Sequence, residues 1–469
     1  LNEISSNIVL TSIPDNPRAS TAKELYDYVE NKKDLCYKND GIDRDLFGKY
    51  GVKRGLRDEK GQGVLTGLTN ISHLGGTKLV DGVKVPTDGF LLYRGYDIVD
   101  LVQGALGKRY IFEEAAYLLL FGQLPNSQEL DEFKSIIANA MSFPPSFTRD
   151  VIMKAATPDI MNNMTRSILT LSSYDDELNN LSLENVLRQC IMLISTFPMM
   201  AAYGYHAYNH YENDKSMYIH RPDKNLSLAE NLLRMLRPNG EYSKIEARAL
   251  DIALMLHMEH GGGNNSTFTT RVVTSSGSDT YSAIAAAMSS LKGKKHGGAN
   301  LMVINMMDDI KAHVSDYDNE AEIEAYLRKI LSKEAFDKKG LIYGMGHAVY
   351  TLSDPREVVF KKFVEMLAKE TEHSKDMKLY NNIEKIAPRL IQEYRNTLKP
   401  VSPNVDFYSG FVYDMLGIPR ELFTPLFAVA RIVGWSAHRI EELISADKII
   451  RPAYKSLVVA KEYKPRDER

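Results

Sequence analysis

Two cysteines in 469 residues, Cys36 and Cys190, form no pattern that a disulfide framework or a zinc site requires, and so fit a reducing compartment. Excess charge of one sign is missing as well: 58 Lys and Arg stand against 61 Asp and Glu, for a formal net charge of -3. With a pI near 6.5 there is no basic field to collect nucleic acid or an anionic membrane, so local arginines and lysines must hold any anionic ligand. The first twenty residues carry Glu3 and Asp15 and no long apolar or Arg-rich amphipathic stretch, which speaks against a signal or transit peptide. Nothing later reads as the roughly 18 uncharged apolar residues of a membrane span. The expected location is the cytoplasm, although a targeting segment already removed would leave no trace here.

What is present is ordinary for a globular protein: 44% hydrophobic and 25% charged residues, enough to bury a sizeable core. The length predicts two unequal domains, or one large domain with an insertion. Residues 1 to about 60 are rich in charge and read as short helices and a loop. Gly61 to Gly89, with Val64, Leu65, Val80, Val83 and Val85 among glycines, carries the only convincing strand or hairpin signal. From Phe112 onward helical spacing dominates. Phe112, Ala115, Ala116, Leu119 and Leu120 form one apolar face, and a second helix starts at Thr280 behind the capping candidates Ser278 and Asp279. The charged stretches Asp308 to Lys339 and Glu357 to Glu393 read as exposed helices. The expected fold class is mainly α.

Three of the eleven histidines stand against glycine: His260 before Gly261-Gly262-Gly263, His296 before Gly297-Gly298, and His347 after Gly346. Glycine lets a ligand approach the backbone, so such histidines either face a cavity or close a turn. His257-Met258-Glu259-His260 has neither zincin spacing and predicts no metal site. Asp406, between Val405 and Phe407, is either a general base tuned by burial or, like Asn404, the cap of a following helix. Arg431 falls inside the long apolar helix read over Leu422 to Leu443, where Glu421 and Glu441 are too far along the chain to reach it. Its partner is a distant carboxylate or an anionic ligand. Arg356 and Arg451 read as loop arginines with the same two choices.

Taken in order, these segments resemble the citrate synthase family. The matches run from Tyr93-Arg94-Gly95-Tyr96-Asp97-Ile98, through Phe112 to Leu119, His260 to Thr267, Leu291 to Asn300, Gly344 to Arg356 and Asn404 to Gly410, to Arg451-Pro452. The resemblance implies a large helical domain, 1–297 with an N-terminal extension and 418–469, and a smaller helical domain, 298–417, that closes over the substrates. It implies that His296 hydrogen-bonds the acetyl-CoA carbonyl, Asp406 removes the methyl proton and His347 donates to the keto acid carbonyl. His260, Arg356 and Arg431 would hold oxaloacetate, Arg451 would reach in from the partner of a homodimer, and the backbone at Gly344 and Gly346 would contact coenzyme A. No cofactor is implied beyond the coenzyme A thioester, which is a substrate. Gly261-Gly262-Gly263, Lys294-Lys295 and Ala348 depart from many bacterial members. The motifs leave open 2-methylcitrate synthase acting on propionyl-CoA, and a non-catalytic binding protein on the same fold.

Overall fold

The computed structural model describes residues 18–58, 62–81, 83–347, 349–397 and 399–469; Ala348 lies outside them. The chain divides into two compact units, one from Leu1–Thr66 with Pro452–Arg469 and one from Gly67–Arg451. In the first, the charged N-terminal region is not a set of short helices only: α1 (Arg18–Asp40) runs 23 residues, followed by the short α2 (Asp45–Lys49).

The second unit begins with a three-stranded antiparallel sheet, β1 (Ser72–Val80), β2 (Val83–Tyr93) and β3 (Tyr96–Asp97), where the valine and glycine pattern predicts a hairpin. Val64 and Leu65 precede it and are exposed. Among the described residues every later element is helical: α3 (Ile98–Gly104), α4 (Ile111–Phe121), α5 (Ser127–Ala140), α6 (Ile160–Leu171), α7 (Leu183–Asn213), α8 (Leu228–Leu236) and α9 (Lys244–His257). Then come α10 (Asn265–Ser275), α11 (Thr280–Leu291), α12 (Ala299–His313), α13 (Glu320–Leu331), α14 (Pro355–Glu370), α15 (Ser374–Arg395), α16 (Val405–Met415) and α17 (Phe423–Ser445). The fold is mainly α, as the periodicity predicts.

Local chemistry sets the helix starts. Asn126, Ser227 and Ser243 form capping boxes with Glu129, Glu230 and Glu246, which satisfy orphan amides at both positions. Asp279, one of the two expected caps, accepts from the Ser282 amide at the head of α11. Buried carboxylates cap across helices too: Asp251 of α9 accepts from the Ile111 and Phe112 amides of α4, and Glu113 of α4 accepts from the Leu228 amide of α8. The Asp251 bonds lock α9, which leads into the candidate site, to α4, and the Glu113 bond locks α4 to α8.

The sequence predicts no stretch that resembles a membrane span. Helix α7 holds an 18-residue window apolar enough for a membrane span, but 78% of it is buried inside the protein. Leu193, Ile194, Phe197 and Met200 are fully buried there, in the same core as α17 and α6. Its apolar character is that of a central core helix.

Candidate active site

Asp406 stands in the first turn of α16 and His347 in the loop before α14, and hydrogen bonds fuse the two segments. Asn404 is the cap of α16: its Oδ1 accepts from the Asp406 amide at 3.0 Å. Its Nδ2 donates to the Gly346 carbonyl at 2.8 Å and its backbone amide to the Gly344 carbonyl at 2.9 Å, while the Gly346 amide donates to the Ser402 carbonyl at 2.7 Å. Gly344 has φ of 80°, and a Cβ there would sit 2.9 Å from Phe407, so the approach needs glycine. The backbone groups of Gly344 and Gly346 named in these bonds are therefore spent on positioning 402–406.

With Asn404 as cap, Asp406 is relieved of that duty. Among the described residues its carboxylate takes no hydrogen bond and no ion pair. Burial pushes it up to about 6, against the pull of Arg356 and Arg431 and with a push from Asp354. Arg356 does not lie in a loop: it is the second residue of α14, behind Pro355, and is 4% exposed. Its Nε and Nη2 donate to the two oxygens of Asp354 at 3.0 and 2.7 Å. Asp354 Oδ2 also accepts from the Val405 amide at 3.2 Å, which ties the start of α14 to the start of α16.

His347 Nδ1 accepts from the amides of Val349 and Tyr350 at 3.1 and 3.3 Å. An amide can only donate, so the neutral ring carries its proton on Nε2. The ring stacks on Tyr350 at 4.7 Å, and His260 meets His347 edge-on at 5.0 Å. His260 Nε2 is buried and finds no partner among the described residues. Burial, with Arg356, His347 and Arg431 nearby, holds His260 well below the usual histidine range, so it is neutral.

His296 lies in the turn between α11 and α12. Its Nε2 faces the Ser266 amide at 3.3 Å and the Ser266 hydroxyl at 3.0 Å. The same reasoning places the ring proton on Nδ1. Burial, reinforced by Arg431, lowers its pKa to about 4. Arg431, in the middle of α17 and 3% exposed, donates through Nε to the His257 carbonyl at 2.7 Å; among the described residues its Nη nitrogens take no hydrogen bond. His257 itself stacks on Phe427 at 4.0 Å.

Six of the seven charged or histidine side chains expected from the sequence thus share one cluster, in which the field of Arg431 reaches His260, His296, Arg356 and Asp406. Arg451 is the exception. It is exposed and makes no hydrogen bond or ion pair among the described residues. Lys294 and Lys295, beside His296, are exposed. A surface cleft of about 860 Å³ lined by Lys108, Arg248 and Met366 lies away from the cluster. Sequence reasoning missed Ser266, which orients His296, and Tyr350, on which His347 stacks. Ser266 falls inside the matched segment His260 to Thr267, behind Asn264-Asn265, and nothing in that segment singles it out.

A part-buried carboxyl in one cluster with three imidazoles and two guanidinium groups can move a proton from carbon and stabilise an oxyanion near anionic groups. The profile for the C-terminal domain of citrate synthase matches residues 59–453. Citrate synthase 2 of Bacillus subtilis is 37% identical over 80% of this chain and 94% of its own. The 2-methylcitrate synthase 2 of Corynebacterium glutamicum is 34% identical over 78% of this chain and 88% of its own. The structure of the ternary complex of carboxymethyl coenzyme A and oxaloacetate with the citrate synthase of Thermoplasma acidophilum superposes with a TM-score of 0.73 at 26% identity, covering 88% of this chain and 98% of that one. The chain belongs to the citrate synthase family.

Proposed function

We propose that the protein condenses acetyl-CoA with oxaloacetate to citrate and coenzyme A. The observation that carries this reading is the carboxyl of Asp406, without a hydrogen bond or ion pair among the described residues and held at about 6 in one cluster with His296 and His347. Asp406 takes a proton from the thioester methyl group while the His296 Nδ1 proton is shared with the thioester oxygen, where the enolate charge develops. The nucleophilic carbon then attacks the ketone of oxaloacetate. The Nε2 proton of His347 passes to the oxygen that becomes the alcohol, and water cleaves the resulting thioester to release coenzyme A.

His260, Arg356 and Arg431 hold the oxaloacetate carboxylates and carbonyl, which lowers the entropic cost of the encounter. Arg356 already has Asp354 as partner, so Arg431, with free Nη nitrogens, supplies the larger share of that grip. Coenzyme A arrives as part of a substrate, near Gly344 and Gly346, and no resident cofactor is required. In this reading 298–417, from the start of α12 past α16, is the smaller domain that closes over the substrates, and the enzyme works in the cytoplasm.

The test is coenzyme A release from acetyl-CoA and from propionyl-CoA, each with oxaloacetate. At least 10-fold higher kcat/KM for acetyl-CoA is expected, since one methylene in an acyl pocket is worth roughly 10- to 200-fold. The 2-methylcitrate synthase at 34% identity gives a second reading weight, and preference for propionyl-CoA would establish it.

The exposed Arg451 completes the reading if it acts on the site of a partner subunit in a two-fold dimer. Mixing Arg451→Ala with Asp406→Ala protein under subunit exchange makes half the dimers mixed and repairs one of their two sites. About a quarter of parental activity should return. With exchange verified and no activity regained, Arg451 acts within its own chain or not at all.

A further inference from the structure

Behind the substrate arginine, one stripe of α17 faces the loop that follows α9. Arg431, Gly434, His438 and Glu441 recur at helical spacing on that face, and the loop residue against them is Glu259. A Cβ on Gly434 would fall 2.4 Å from the Met258 carbonyl and 2.5 Å from Glu259 Oε2, so glycine at 434 is what lets the loop pack directly onto the helix. Glu259 is fully buried. Its Oε1 accepts from the Ser72 hydroxyl at 2.8 Å, the Gly261 amide at 2.6 Å and His438 Nε2 at 2.8 Å, whereas Oε2 finds no hydrogen bond among the described residues.

Each partner is itself fixed. Arg271 donates to His438 Nδ1 and to the carboxylates of Glu441 and Glu442, which leaves His438 Nε2 as the proton-bearing nitrogen that points at Glu259. Ser72 opens strand β1, and its ladder partner Tyr93 donates through its hydroxyl toward the Met255 and Glu259 carbonyls at 3.1 and 3.2 Å. The hairpin thus grips the loop from one side and α17 from the other. Burial pushes the Glu259 carboxyl up, but His438, Arg431 and Ser72 outweigh it and hold the group ionised, at about 2.

The consequence reaches two substrate-facing groups. A buried guanidinium without a compensating charge costs several kcal/mol. Glu259 is the largest favourable influence on Arg431, whose own hydrogen bond among the described residues is to a neutral carbonyl. Through the Gly261 amide, Glu259 also closes the turn immediately after His260. We propose that Glu259 is a positioning residue for oxaloacetate binding: it is the fixed counter-charge that keeps Arg431 buried and aimed, and the clamp that sets His260. This rests on the reading of Arg431 and His260 as substrate ligands. Glu259 touches neither substrate nor reacting atoms.

The experiment compares full-length Glu259→Gln, Ser72→Ala and Arg431→Leu with the parent, measuring oxaloacetate Kd by calorimetry and kcat at saturating oxaloacetate. Glu259→Gln keeps the shape and removes the charge. It should weaken oxaloacetate about 10-fold or more, with kcat changed less than about threefold, because the arginine meets a carboxylate already charged in the ground state. Ser72→Ala, which removes one support of the carboxylate, should weaken it about threefold in the same direction. Unchanged or tighter oxaloacetate binding in a folded Glu259→Gln protein overturns the proposal. Should that variant fail to fold, Ser72→Ala decides, and an unchanged Kd there overturns it as well. Arg431→Leu separates the two levels of inference. If it too binds oxaloacetate normally, the functional reading has failed; if it binds weakly while Glu259→Gln does not, only the role given to Glu259 has.

Discussion

Asp406→Asn is expected to keep the fold and the binding of both substrates while kcat falls by roughly 10²-fold or more, the loss that follows removal of a general base. Asparagine fills the same space and cannot accept the methyl proton. The parent enzyme adds a second observable. A base must be ionised to act, and burial raises this one to about 6, so kcat/KM should fall as pH drops through 6 and level off above it. Residual activity of the asparagine variant should lack that limb. Near-normal turnover, or an unchanged acid limb, would remove Asp406 from the role.

His296→Ala and His347→Ala should each lower kcat by roughly 10²- to 10³-fold, the size of effect seen when one donor to a developing oxyanion is removed. Each ring presents its donor proton on a defined nitrogen, His296 on Nδ1 because Ser266 occupies Nε2, and His347 on Nε2 because two amides occupy Nδ1. Donors aimed at charge that appears only in the transition state affect kcat far more than ground-state binding. The measurement is kcat together with Kd for each substrate. A variant that loses affinity for oxaloacetate in proportion to its loss of kcat/KM, with kcat kept, would show a binding histidine instead.

Local signals in the chain suffice for several of the helices. Apolar spacing from Phe112 and the Asp279 cap locate α4 and α11 to within a residue or two, because capping and amphipathicity are short-range properties. The histidines flanked by glycine and the acid at 406 were equally legible. What the sequence could not show is which of two neighbouring acceptors takes the capping role: Asn404 and Asp406 both suit it, and only the bond from Asn404 Nδ2 to Gly346, 58 residues upstream, decides. Arg356 was misread for a related reason. Asp354-Pro355 reads as a loop, yet an aspartate before a proline is also a helix cap followed by proline at the first position. Glu259 lay hidden because its partners, Ser72 and His438, are 187 and 179 residues away.

That the Asp406 carboxyl takes no hydrogen bond or ion pair among the described residues also has a consequence for folding. The native protein holds a proton on this carboxyl up to about pH 6, whereas an unfolded chain releases it near the ordinary value of 3.8. The native state therefore binds more protons across that window, and stability falls as pH rises through it. Above about pH 6 the penalty is complete, about 3 kcal/mol for a shift of about two pH units. Asparagine at 406 escapes the penalty, so the variant that loses turnover should melt at a higher temperature than the parent at neutral pH, with the gap closing near pH 4. Thermal stability and turnover pull in opposite directions at this one carboxyl.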